Sequence, residues 1–223
     1  WRTVVSLNTA RRTLAGVGTY TASLAFGGYN GTTQVATTEL YNGTNWTSVN
    51  SLNGVKSVLA GAGTATAALS FGGYAPPGNQ ATTETWNGTN WTEVNDLNTA
   101  RYMLGGTGTN TAALAFGGTS DPPVQAVTEL WNGTNWTEVN DLNTARQGGG
   151  SAGIYTAALY ATGFSGSGPV APGTQTESWN GTNWTEVNNV NTARYEMGDA
   201  GTSTAALIFG GQSTPSNYFL KSN

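Results

Sequence analysis

Apolar and polar positions along this chain follow a repeating beat. One unit reads Trp-Thr-x-Val-Asn-x-Leu-Asn-Thr-Ala-Arg, then a Gly-rich stretch, then Thr-Ala-Ala-Leu-x-Phe-Gly-Gly. A Pro/Gly/Ser-rich segment follows, and Thr-Glu-x-Trp-Asn-Gly-Thr-Asn closes the unit. Trp1, Trp46, Trp91 and Trp136 stand 45 residues apart, and Trp184 follows after 48. Self-similarity at such a period is the mark of a repeat architecture. Each unit offers four short strands, named A to D here. In one copy strand A spans 102–108, B 112–117, C 127–131 and D 136–140. Gly-Thr-Asn-Thr separates A from B, and Asn132-Gly133-Thr134-Asn135 separates C from D. Asn-Gly between strand residues is the strongest short hairpin signal.

Four strands per unit at this period predict a β-propeller blade, with a solenoid as the alternative. The two ends of the chain favour the propeller. An unpaired D strand opens it at 1–6 and an unpaired C strand ends it at 217–221. Setting Asn223 beside Trp1 reproduces the junction Asn45-Trp46, with Phe219 in the place of Tyr41. A ring closed in this way leaves no exposed inter-blade edge. The expected fold is therefore all-β: a five-bladed β-propeller of four-stranded antiparallel blades. The N-terminal strand D would pair with the C-terminal strand C to close the ring. One domain would span 1–223, with blades near 11–51, 56–96, 101–141 and 146–189, and a last blade made of 194–223 plus 1–7.

The unit resembles the kelch repeat. The residues that carry the likeness are the Gly pairs 27–28, 72–73, 117–118 and 210–211, the later aromatic of each unit, the Trp a few residues on, and the Arg after strand D. The likeness runs through the whole chain. Blade four departs from it, with Thr162-Gly163 for the Gly pair, and kelch propellers more often have six or seven blades. The wording Asn-Gly-Thr-Asn-Trp-Thr is also similar to kelch-like repeats of bacteriophage and bacterial surface proteins.

Composition narrows the chemistry. Charged residues are only 9% and net charge is -4, so no basic patch exists, and neither nucleic acid nor an anionic membrane surface is an expected partner. Eight Trp and nine Tyr give a folded chain large surfaces to bury. No apolar run approaches a membrane span, so no membrane insertion is expected. Cys and His are both absent. That removes a disulfide framework, thiol nucleophiles, a Ser-His-Asp triad and His-based metal sites. The copper chemistry of the galactose oxidase relatives of kelch propellers needs His ligands and does not carry over. No cofactor and no metal are expected. The chain starts at Trp1 rather than Met, which points to processing, a cut from a longer protein, or a sequence limited to an ordered part.

Two aromatic sets repeat around the units: Trp1, Trp46, Trp91, Trp136 and Trp184, and Tyr41, Trp86, Trp131, Trp179 and Phe219. Repetition in every unit points to structural wedges between blades rather than sugar platforms. The Gly-rich A strands lack the Gly-Lys-Ser/Thr and the helix of a phosphate loop. Crowding of inner strands near the axis is the expected reason for them. Arg11, Lys56, Arg101, Arg146 and Arg194 hold one equivalent place each. Their strand C counterparts are Glu39, Glu84, Glu129 and Glu177, with Asn217 in the last unit. Repeated ion pairs are the favoured reading; an anion- or glycan-binding ring at the channel mouth is the functional one.

D–A and B–C loops share one face, and A–B and C–D turns the other. The B–C loops 29–35, 74–80, 119–125, 164–173 and 212–216 vary, hold the prolines and carry Tyr29, Tyr74 and Phe164. Variable loops on a rigid scaffold are where recognition usually lives, so these aromatics join the cationic ring as candidate ligand contacts. Asn-x-Thr sequons recur at Asn30, Asn42, Asn45, Asn87, Asn90, Asn132, Asn135, Asn180 and Asn183. Turn chemistry explains that repetition better than glycosylation. The non-repeated acids are Asp121, Glu196 and Asp199, and the last two form the only candidate pair for a two-carboxylate glycosidase. No enzyme is expected. The expected function is a non-catalytic binding or structural module on a virion (a bacteriophage appendage or decoration) or an extracellular surface. Its partner would be a protein subunit, receptor or surface glycan. A lectin with one carbohydrate site per blade is the alternative.

Overall fold

The computed structural model describes residues 5–120, 123–166 and 172–213, with the backbone of 218–219. Unit one contributes β1 (Ala15–Thr19), β2 (Ala22–Phe26), β3 (Thr38–Tyr41) and β4 (Trp46–Val49). Unit two has β5 (Ala60–Gly63), β6 (Ala68–Phe71), the small hairpin β7 (Tyr74–Ala75) and β8 (Gly78–Asn79), then β9 (Thr83–Trp86) and β10 (Trp91–Val94). Unit three has β11 (Gly105–Gly108), β12 (Ala113–Phe116), β13 (Thr128–Trp131) and β14 (Trp136–Glu138). Unit four has β15 (Gly150–Ile154), β16 (Ala157–Ala161), β17 (Thr176–Trp179) and β18 (Trp184–Val187). Beyond them lie β19 (Gly198–Thr202), β20 (Ala205–Phe209), β21 (Gln212–Ser213) and β22 (Tyr218–Phe219). No helix occurs among the described residues.

The first four units form four-stranded antiparallel sheets in which the strands follow one another in sequence, apart from the β7–β8 loop hairpin. The inner strands β1, β5, β11, β15 and β19 neighbour one another in that order, so strand A of each unit faces the axis and strand D lies at the outer edge. This is a β-propeller of antiparallel four-stranded blades. Its core lies between the blades. One apolar cluster joins units one and two through Phe26, Leu59, Trp86 and Trp91. A second joins units two and three, and a third joins units three and four. Strand B is buried on both faces in units two and three, which its Ala/Leu/Phe composition permits.

Strand A starts later than 102: β11 begins at Gly105, and Tyr102 instead makes an isolated bridge to Thr119. The ladder opens where Met103 on one strand and Gly118 on the other turn their N–H groups toward neighbouring blades. Met103 donates to Val58 O, and Gly118 donates to Arg146 O. The Gly-rich strands are crowded by the inner strand of the preceding blade, with Val17 3.2 Å from a Cβ on Gly61 and Ala60 2.9 Å from one on Gly106, and by a ring of its strand B. A Cβ on Gly61 or Gly106 would lie 2.7 or 2.6 Å from the phenylalanine ring of the preceding blade.

The fifth unit differs from expectation. Its described part is the hairpin β19–β20, whose strands are largely exposed. The C strand placed at 217–221 does not lie along β20 where its backbone is described. Tyr218–Phe219 pair with Gln212–Ser213 instead. That pairing closes a short local loop, which takes less ordering than a return along β20. Trp1, Asn217 and the segment 220–223, on which ring closure turns, lie outside the described residues.

Candidate functional site

The cations of the repeat are held inside the blades. Arg11 pairs with Glu39, Lys56 with Glu84 at 3.3 Å, Arg101 with Glu129 at 3.1 Å and Arg146 with Glu177 at 2.6 Å. Lys56, Arg101 and Arg146 are fully buried. Each Glu also takes the N–H of the Asn that opens the D–A loop, as Glu129 does from Asn98 at 2.7 Å. Arg101 and Arg146 additionally donate to carbonyls of strand B. Burial pushes the Lys56 ammonium down, against the upward pull of Glu84. Burial would raise Glu39, but Arg11 and the N–H groups of Asn8 and Thr9 outweigh it and hold this carboxyl below its ordinary value. Arg194 donates to Gly210 O at 3.3 Å. These cations tie down the links between blades and leave no free charge to a ligand at Lys56, Arg101 or Arg146.

The aromatic sets sit at the same joints. Trp91, Trp136 and Trp184 are buried, and each indole N–H donates to the Thr hydroxyl of strand C in the preceding blade, at 3.0–3.1 Å. Phe26, Phe71 and Phe116 of that preceding blade meet the same rings at 4.9–5.0 Å between centroids. Trp86, Trp131 and Trp179 cap the A–B turn of their own blade. Tyr41 packs on the partly exposed Trp46. Trp1 and the side chain of Phe219 are outside the described residues. The sequon asparagines are used as well. Asn87 caps its own turn through Thr89 N and Asn90 N, while Asn90 Oδ1 accepts from Asn50 of the blade before at 2.7 Å. Asn95–Asn135 and Asn140–Asn183 repeat that inter-blade contact.

At the inner end of the blades a different ring appears, on positions sequence reasoning passed over. Thr13, Val58, Met103, Gly148 and Glu196 occupy one equivalent place, two residues after the cation, and all are left-handed with φ of 49–66°. For β-branched Thr13 and Val58 this is a rare conformation, and residues held so cost on the order of 1–3 kcal/mol each. The reward is a chain of backbone bonds. Val58 N donates to Thr13 O, Met103 N to Val58 O, Gly148 N to Met103 O and Glu196 N to Gly148 O, at 2.8–3.0 Å. The geometry is constant and the side chain changes in every blade. Gly148 is the one local signal of the required backbone that the sequence carries.

This ring lines a cavity of about 720 Å³ to which all five units contribute. Leu14, Leu59, Leu104 and Met197 give it apolar wall, while Arg12, Gln34, Ser57, Glu196 and Gln212 give it polar wall. Isolated bridges join D–A to B–C segments around it: Arg12 to Tyr29, Ser57 to Tyr74, Tyr102 to Thr119, Gln147 to Phe164 and Tyr195 to Gln212. Each bridge contains one aromatic, and all five aromatics are half-buried. Tyr29 carries the Arg12 guanidinium at 5.2 Å, Tyr74 meets Tyr102 at 5.7 Å, and Phe164 meets Tyr195 at 4.2 Å. Of these, Tyr29, Tyr74 and Phe164 were expected as ligand contacts. Tyr102 and Tyr195 were not, because each follows an arginine in a segment read as the start of a strand.

Glu196 lies in this cavity, accepting from Gln212 Nε2 at 2.9 Å, and Tyr195 donates to the same amide at 3.0 Å. Desolvation raises its carboxyl pKa, against the opposing pull of Arg12. Asp199 is exposed as a residue, yet its carboxyl is set against β15 and takes the Ser151 N–H at 2.7 Å. Crowding by protein raises its pKa to about 6. The two acids therefore have different environments: one in the cavity wall, one bonded to the neighbouring strand. Asp121 lies outside the described residues. Among the described residues no cluster of three acidic metal-ligand side chains occurs, and no helix is long and apolar enough to cross a membrane.

No family model and no curated protein sequence matches this chain.

Proposed function

We propose that the protein is a kelch-like, five-bladed propeller that works as a non-catalytic binding module through its central mouth. The carrying observation is the contrast at that mouth: one backbone geometry in five units, with Thr, Val, Met, Gly and Glu presented on it. A scaffold needs no such variety, whereas a recognition site on a rigid frame does. Display on a virion or an extracellular surface suits the kelch-like wording of the repeat and its few charges. Labelled protein added to bacterial cells tests the reading. Met103→Arg, which puts a charged chain into the cavity, should abolish cell binding, and Tyr20→Ala at an exposed A–B turn should not. Binding by Met103→Arg equal to the parent would contradict it. Ring closure by strand D at 1–6 belongs to the same proposal. Deleting 1–6 should lower the melting temperature, and unchanged melting would contradict closure.

A groove of about 300 Å³ between units three and four, lined by Leu130, Asn140, Tyr155 and Trp179, favours the alternative of one lectin site per blade. Calorimetry separates the two readings: about one ligand per chain for the mouth, about five for the lectin.

A further inference from the structure

Resting on the mouth as the recognition site, we infer that its ligand is a neutral saccharide, bound once per molecule on the propeller axis. Arg12 and Glu196 are the charged side chains in the cavity wall, one of each sign. Lys56, Arg101 and Arg146 are buried against glutamates, and Asp199 is bonded to Ser151 of β15. An anionic ligand would meet Glu196 and a cationic one Arg12. Neither gains a net partner, so a neutral ligand is favoured.

The remaining wall has two characters. Gln34, Ser57, Thr13 and Gln212 both donate and accept hydrogen bonds, Arg12 donates, and Glu196 accepts. Vicinal hydroxyls, which also do both, match that mixture. Leucines of three blades and the half-buried ring of Tyr29 offer apolar faces of the kind on which the C–H face of a pyranose stacks. The volume of about 720 Å³ lies inside the ~300–1,000 Å³ range of small-ligand sites. The Tyr195–Gln212–Glu196 chain holds the amide and carboxylate in place before a ligand arrives, as a polar site requires.

The test is a glycan array carrying neutral, sialylated and sulfated oligosaccharides, followed by calorimetry with the best neutral binder. We expect neutral glycans to bind with a stoichiometry near one. Tyr29→Ala and Gln212→Ala should each weaken binding at least tenfold, and Tyr20→Ala should leave it unchanged. Circular dichroism melting checks each variant, and Gln212→Ala decides the matter if Tyr29→Ala melts early. Binding of charged glycans only, or of none, overturns the saccharide assignment while cell binding blocked by Met103→Arg would leave the mouth as the recognition site. A neutral glycan bound at about five sites, or unaffected by Gln212→Ala, overturns the axial site itself.

Discussion

The outer edge and the inner mouth of this propeller join the same blades in opposite ways. At the outer edge, the side chains are repeated and make the joints. Asn50, Asn95 and Asn140 reach the Asn of the next turn, and Trp91, Trp136 and Trp184 fill the gaps just inside. At the mouth the backbone makes the joints, through Thr13, Val58, Met103, Gly148 and Glu196. A joint made by backbone sets side chains free to differ, and there they do. The lesson is that repetition of residues marks load in this fold, while repetition of conformation without residues marks freedom to acquire function.

The largest effects should come from the outer and middle layers. Trp136→Ala removes a buried ring that contacts Phe71 and bonds Thr83, and should cost about 3–5 kcal/mol by chemical denaturation. Glu177→Leu leaves the buried Arg146 without its partner at 2.6 Å and should also cost about 3–5 kcal/mol. Restoring part of that loss with Arg146→Met in the same chain would show that the unpaired charge is the cause. If either single variant melts like the parent, the joints do not bear load where the contrast puts it.

Smaller effects sharpen the same comparison. Asn95→Ala breaks the exposed bonds to Thr134 and Asn135 and should cost about 0.5–1.5 kcal/mol. A loss near zero would make that belt a consequence of blade packing rather than a contributor. At the inner end, Asp199→Asn is a pH test. Because the folded pKa is raised from 3.8 to about 6, the folded state favours the protonated acid. Stability from this group is present below the ordinary value and is lost as pH rises through about 6. Asp199→Asn should therefore raise the melting temperature at pH 7 and leave it nearly unchanged at pH 4. Equal shifts at both pH values would assign the effect to packing.

The blade was legible because its signals are local and repeated. Asn132-Gly133 announces a hairpin, and the Trp131 and Trp136 it joins do face each other across β13 and β14. The Gly pair was legible as a marker, and its reason is physical. A Cβ on Gly72 would lie 2.8 Å from Arg101 O of the next blade. The mouth was half legible. Tyr29, Tyr74 and Phe164 stood out in variable loops, but Tyr102 and Tyr195 hid beside arginines. The left-handed ring was not legible at all from Thr13, Val58 or Met103, whose types disfavour that conformation. It is imposed by the opened ladder and the preceding blade's carbonyl, which are tertiary facts. The pairing of Tyr218–Phe219 with Gln212–Ser213 was hidden for a similar reason: a pattern of repeats says what a strand resembles, not which neighbour it takes.

The central claim is that residue identity bears load at the outer edge and is free at the mouth. It is tested by replacing all four ring side chains together, Thr13→Gly, Val58→Gly, Met103→Gly and Glu196→Gly, and comparing the unfolding free energy with that of Trp136→Ala alone. Glycine suits a positive φ, so relief of strain offsets lost contacts and the quadruple variant should lose less stability than the single tryptophan variant. A quadruple variant less stable than Trp136→Ala would contradict the account.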